Sequence, residues 1–199
     1  MKQIKLLLFI IICTNIFVAC KKTKAEPETD TTAAQIQLLP AITQTGANTF
    51  GCLLNGNAWL PKGVDGNIPN SKLTIDNTTP NGIFLLTNYR VFDNFKDRMT
   101  FFSDSIKAVG TYPIKTNSKT LFTYGKYKPD NSASYCEFDN SNYGIYGGNI
   151  YNIDGYIKIT RYDTVNKIYS GEFEITFINN ACELGSPVKI TNGRFDFKL

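Results

Sequence analysis

Arg194-Phe195-Asp196-Phe197-Lys198-Leu199 alternates charged and apolar residues one by one. Successive side chains of a strand point to opposite faces, so Phe195, Phe197 and Leu199 define an inner face and Arg194, Asp196 and Lys198 an outer one. Just upstream, Val188 and Ile190 hold the opposite parity. One extra residue must intervene, and Asn192-Gly193 is the expected turn or glycine bulge. Working back, Phe173, Ile175 and Phe177 share one face while Ile168 has the other parity. Either Gly171 marks a bulge or Tyr169 takes the inward place.

Two hairpins follow from turn chemistry. Tyr156 to Tyr162 and Lys167 to Phe177 are expected to pair through Asp163-Thr164-Val165-Asn166, and Phe50 to Leu54 with Ala58 to Leu60 across Asn55-Gly56-Asn57. Further turn signals stand at Asp65-Gly66, Pro80-Asn81-Gly82, Gly147-Gly148 and Asp154-Gly155. Between them lie short runs rich in Phe, Tyr, Ile, Thr and Val. No window keeps a 3.6-residue apolar period for three turns, so no substantial helix is expected beyond the first segment. The fold class is all-β: a single antiparallel β-sandwich or flattened barrel of about ten short strands, with a sandwich favoured.

The 199 residues contain 21 Lys+Arg, 17 Asp+Glu and no His, for a net charge of +4. Hydrophobics at 42% and charges at 19% describe a chain able to bury a core. The basic residues are few and scattered, which argues against a nucleic-acid partner. Without His there is no Ser-His-Asp or Cys-His catalytic set and no imidazole for zinc.

The N-terminal segment reads as an address. Lys2 and Lys5 form a basic start, and Leu6 to Ala19 is apolar apart from Thr14 and Asn15. That run is shorter than the ~20 residues needed to span a bilayer and fits a signal-peptide core. Phe17-Val18-Ala19-Cys20 resembles a bacterial lipobox, with Phe17 where the pattern has Leu. The resemblance implies cleavage between Ala19 and Cys20 and acylation of Cys20, a membrane anchor through two or more chains. Removing Lys2 and Lys5 with the signal leaves +2. Lys21, not Asp, follows Cys20, so the inner-membrane retention signal of enteric bacteria is missing. By that resemblance the address is the outer membrane.

Residues 20–47 contain no aromatic side chain, and are rich in Thr, Ala, Gln, Glu and Pro. This composition predicts a flexible tether. Ile36-Gln37-Leu38-Leu39 is its one apolar patch, placed to dock on the domain. The expected organisation is a signal peptide over 1–19, a tether over 20–47 and an all-β domain over 48–199.

After Cys13 leaves with the signal and Cys20 is acylated, Cys52, Cys136 and Cys182 remain. Export predicts a disulfide among these three, with one thiol left over and three pairings open. No C-x-x-C spacing supports a metal site.

Candidate chemistry is sparse. Glu172 and Glu174 lie two apart, hence on one strand face, whereas glycoside hydrolysis needs carboxylates on opposite sides of the bond. A solvated face is the simpler reading. Asp139-Asn140-Ser141-Asn142-Tyr143-Gly144 resembles the start of a calcium loop. It lacks the closing Glu, since Ile150 stands there. No metal or cofactor is expected. Ten of the eleven Tyr fall between Tyr112 and Tyr169, amid many Asn and Gly. Trp59, Tyr143, Tyr146 and Tyr151 are the candidate binding surface, because rings with a polar tip stack well on sugars. Codon bias and strand propensity would produce the same richness in Tyr.

Thr49-Phe50-Gly51-Cys52-Leu53-Leu54-Asn55-Gly56, with Trp59-Leu60-Pro61 after it, begins an ordered set of motifs. Gly110-Thr111-Tyr112-Pro113, Ser170-Gly171-Glu172-Phe173 and Ile190-Thr191-Asn192-Gly193-Arg194-Phe195-Asp196 complete it. Together, over residues 46–199, they resemble an uncharacterised family of lipid-anchored envelope proteins common in the Bacteroidota. The resemblance implies a small all-β domain behind a lipobox and carries no activity. The expected function is non-enzymatic binding of a glycan, a small molecule or an envelope protein; the alternative is a carboxylate-dependent glycan hydrolase.

Overall fold

The computed structural model describes residues 31–64, 69–78, 82–92, 95–127, 134–139, 153–177 and 188–199. Eleven strands and one short helix lie among them. The helix, α1, is Thr31–Gln37. The strands are β1 Thr49–Leu54, β2 Asn57–Trp59, β3 Ser71–Asp76, β4 Ile83–Phe92, β5 Phe95–Ser103, β6 Gly110–Lys115, β7 Thr120–Tyr127, β8 Ser134–Asp139, β9 Ile153–Asp163, β10 Ile168–Phe177 and β11 Lys189–Lys198. They form two antiparallel sheets, β2-β1-β11-β10-β9-β6 and β3-β4-β5-β7-β8. Because the two sheets face each other over a filled centre, the fold is an all-β sandwich.

Aromatic rings meet across that centre. Phe101 of β5 packs edge-on against Phe173 of β10 with centroids 4.8 Å apart. Phe84 meets Phe195 at 6.2 Å and Phe122 meets Phe177 at 6.0 Å. All six rings are buried. Each side chain of this size contributes roughly 2–3 kcal/mol by leaving water, so these pairs fix the sandwich.

Both expected hairpins form. In the first, Asn55 and Gly56 both take positive φ, 49° and 80°. A two-residue turn needs this to match strand twist, and Gly supplies it without strain. The second pairs Tyr169 with Tyr162 and Phe177 with Ile153. The Asp163 carboxylate closes its turn by accepting from the backbone N–H groups of Val165 and Asn166, 3.1 and 2.8 Å away.

The extra residue near Asn192 is present. Both neighbours of β11 lose register there: Phe173/Ile175 of β10 and Gly51/Leu53 of β1 each face one residue more on β11. Asn192 takes φ 53°. Gly193 lies flat against the Phe173 ring, where a Cβ would come within 2.4 Å. In β10, Tyr169 takes the inward place and no residue is inserted. The irregularity there belongs to β9, whose Ile159–Arg161 step faces Ser170–Gly171.

The folded unit starts earlier than composition predicts. It begins near Thr32, so residues 32–47, read above as flexible tether, belong to the domain. A seven-residue helix is marginal alone, but α1 is held at its C-terminal end. Gln35 Oε1 accepts from the Ala58 N–H at 2.8 Å, and Leu39 is buried, as the apolar patch suggested. Pro40 then turns the chain along the outer face of the β1–β11–β10–β9 sheet. Its carbonyl accepts from Arg194 and that of Gln44 from Arg161.

Asp196 is the main fastener. It accepts from Thr43 Oγ1 at 2.6 Å, from the N–H groups of Thr45, Gly46 and Ala47 at 2.9–3.1 Å and from Ser170 Oγ at 2.7 Å. Burial alone would push its carboxyl up. The hydrogen bonds from Thr43, Ser170, Ala47 and Gly46 outweigh that and hold it well below the usual carboxylate range.

Candidate functional site

Read along its inward parity, β4 runs Phe84, Leu86, Asn88, Arg90, and β5 runs Asp97, Met99, Phe101, Ser103. The inner face of the second sheet is therefore apolar in the middle and charged at one end. Pairing aligns that end: Arg90 lies opposite Asp97, and Asp97 opposite Lys126 of β7. The next row is Asn88, Met99 and Tyr124.

Asp97 is wholly buried. An isolated buried carboxylate would be prohibitive, so its partners matter. Arg90 Nη2 approaches Oδ2 at 2.6 Å, while 27% of the Arg90 side chain remains accessible. Trp59 Nε1–H donates to the same oxygen at 3.3 Å. The Arg90 guanidinium also lies over the indole, 5.4 Å from its centroid. Trp59 itself packs edge-on against Phe50 at 5.9 Å.

Arg90 is held in place from outside as well. After β2 the chain crosses between the sheets, and Lys62 bridges to β4 beside Arg90. Its N–H donates to the Tyr89 carbonyl at 3.1 Å and its carbonyl accepts from Val91 N–H at 2.8 Å.

This guanidinium lines two clefts. The larger, about 600 Å³, lies between α1 and the crossing segment. It is lined by Gln35, Leu38, Ala58, Leu60, Pro61, Lys62 and Arg90. That volume falls within the 300–1,000 Å³ of ordinary ligand sites. The smaller, about 210 Å³, is lined by Leu54, Asn55, Asn57, Arg90, Tyr124, Lys126 and Val188. Burial pushes the Tyr124 hydroxyl's pKa up, and the nearby Asp97 charge adds to this. The phenol thus stays protonated at any physiological pH.

The sequence-derived candidates fare unequally. Trp59 is not a surface platform: pairing with Cys52 on β1 and the bond to Asp97 bury it completely. Tyr143, Tyr146, Tyr151, Ala19, Cys20 and Cys182 lie outside the described residues, as does the stretch 140–144 of the calcium-like loop. Cys52 is a free thiol buried opposite Met99, with Sγ and Sδ 3.8 Å apart. Burial pushes its pKa well up, so it is an unreactive core residue, and it is not one half of the expected disulfide. Cys136 stands on β8 opposite Lys126, and its side chain is outside the description.

Glu172 and Glu174 share one face of β10, and Glu172 sits between Arg194 and Lys158 on the neighbouring strands. Opposite charges across a sheet are ordinary cross-strand support. Among the described residues, no three His, Cys, Asp or Glu gather as metal ligands.

Sequence reading missed Arg90 and Asp97. The signal was available: both are charged residues on the parity of Phe84, Leu86, Met99 and Phe101. Comparison of the chain with family models, curated proteins and solved structures finds no match.

Proposed function

We propose that this is a lipid-anchored cell-envelope protein that binds a ligand or partner without chemical turnover, its seat being the cleft between α1 and the Leu60–Lys62 crossing. The observation that carries the reading is the cleft itself: apolar walls from Leu38, Leu60 and Pro61 around a fixed, partly accessible Arg90. Apolar walls with a few placed polar groups are the usual make-up of a binding site. The lipobox-like Phe17–Cys20 supports the anchor, and the ordered motifs over 46–199 support an envelope family. On this reading Cys20 is acylated and the domain stands at the outer membrane. Its ligand is a glycan, a small molecule or part of an envelope protein.

The test uses detergent-solubilised full chain. Thermal unfolding is followed against panels of glycans, amphiphiles and envelope extracts, because a ligand at a hundred times its Kd adds about 2.7 kcal/mol. The expected result is a rise in Tm that Leu38→Arg abolishes. Leu38 lines the cleft and is 59% exposed, so the variant itself should fold. Shifts that survive Leu38→Arg, or no shift with any panel, would refute the seat. Cys20→Ala should separately abolish palmitate labelling and release the protein from membranes.

A further inference from the structure

The smaller cleft differs from the larger in character. Its walls carry two cations, Arg90 and Lys126, the Tyr124 hydroxyl and the amides of Asn55 and Asn57. Asp97 lies between Arg90 and Lys126 in register, yet it is fully buried and lines neither cleft. Among the described residues that line it, the charged ones are thus both cations, with the Asp97 carboxylate beneath them. Lys126 is half-buried, where Coulomb attraction is screened less than at the open surface.

We propose that this cleft is a seat for a small oxyanion, a carboxylate or phosphate group, held between Arg90 and Lys126 with Tyr124 and Asn57 as neutral donors. A guanidinium fixed by Asp97 and Trp59 loses little freedom on binding, so the seat is preorganised. Some 210 Å³ suits a head group and not a whole amphiphile. Arg90 lines both clefts, so an acid-headed amphiphile would place its head here and its tail against Leu38 and Leu60. The inference deepens the binding function proposed above and rests on it.

Trp59 is the single tryptophan and touches Arg90, so its fluorescence reports on the seat. Solubilised full chain is titrated with inorganic phosphate, octanoate and octanol, and amide NMR shifts are mapped in parallel. Phosphate and octanoate should both perturb Trp59 and shift Asn57, Tyr124 and Lys126. Lys126→Gln should weaken each about tenfold, the cost of roughly one charge-assisted hydrogen bond. Asn57→Asp, which adds a negative charge at the exposed mouth, should weaken them as much. Neither change removes a member of the Arg90–Asp97 pair.

Octanoate binding much tighter than phosphate identifies the head group of an amphiphile; comparable affinities identify a free anion. If octanol binds as well as octanoate, or Lys126→Gln binds octanoate unchanged, the oxyanion seat is overturned while the apolar cleft stands. Silence of all three probes also overturns the seat. The cleft reading then falls only if Leu38→Arg alters no thermal shift.

Discussion

The two buried carboxylates among the described residues, Asp196 and Asp97, are satisfied in opposite ways. Asp196, on the outer face of β11, collects neutral donors: two hydroxyls and three backbone N–H groups lie within 3.1 Å. Asp97, on the inner face of β5, has one cation and one indole N–H. Its Oδ1 has no hydrogen-bond partner among the described residues. Asp196 uses its charge to fix chain, for its hydrogen-bond donors all come from residues 43–47 and β10. Asp97 fixes a cation that also lines two clefts. A carboxylate ringed by amides marks a joint, whereas one beneath a half-accessible guanidinium marks a site.

Removing the cation separates the two most sharply. Arg90→Met should cost about 3–5 kcal/mol in denaturant unfolding, because the Asp97 charge stays buried without its ion partner. Adding Asp97→Leu to Arg90→Met should return most of that. A double variant as unstable as the single would show that the pair does not set the local energy.

Asp196→Ala should cost about 2–3 kcal/mol, since several donors lose one acceptor. The loss should be local first: amide exchange should accelerate at Gly46 and Ala47 and stay slow at Leu86 and Met99. Uniform acceleration would mean that residues 43–47 are not separately fastened.

Acid gives a smaller effect of fixed sign. The folded-state pKa of Asp196 is depressed, so its stabilisation is complete at neutral pH. It is lost as pH falls below about 4, where the unfolded Asp takes up its proton. Unfolding between pH 5 and 2 should show this decline, and Asp196→Asn should flatten it.

Trp59→Phe is the mildest change. It keeps a ring against Phe50 and deletes one donor to Asp97, for about 1 kcal/mol. If it also leaves ligand affinity unchanged, the indole supports Arg90 only sterically.

Most of the architecture was legible because its signals are local. Asn55-Gly56, Asp163 to Asn166 and Asn192-Gly193 each specify a backbone event within four residues, and alternation around Phe173 and Phe195 sets the inward face. The misreadings involve partners far apart in sequence. Trp59 resembles an exposed platform beside a turn until Asp97, on another sheet, buries it. Asp196 sits on the polar parity of β11, which predicts solvent, and no local pattern reveals that residues 43–47 cover it. The same distance hides the folded state of 32–47, whose bland composition records the absence of core residues and not the absence of contacts. Arg90 and Asp97 break the apolar alternation of their strands, so their conflict with the pattern is itself the signal of a site.

The Asp196 joint also has a mechanical side. Any pull arriving from the N-terminal side of Thr43 meets four hydrogen bonds to one carboxylate before it reaches β1, and Ser170 gives that carboxylate a fifth. Ser170, one of the five, passes part of that force to β10. The rest enters β11, which is laddered on both sides, by β1 and by β10. Once the Gln35–Ala58 contact with edge strand β2 yields, a chain tugged at that end is thus loaded through the interior of its sheet, where neighbouring strands share the force.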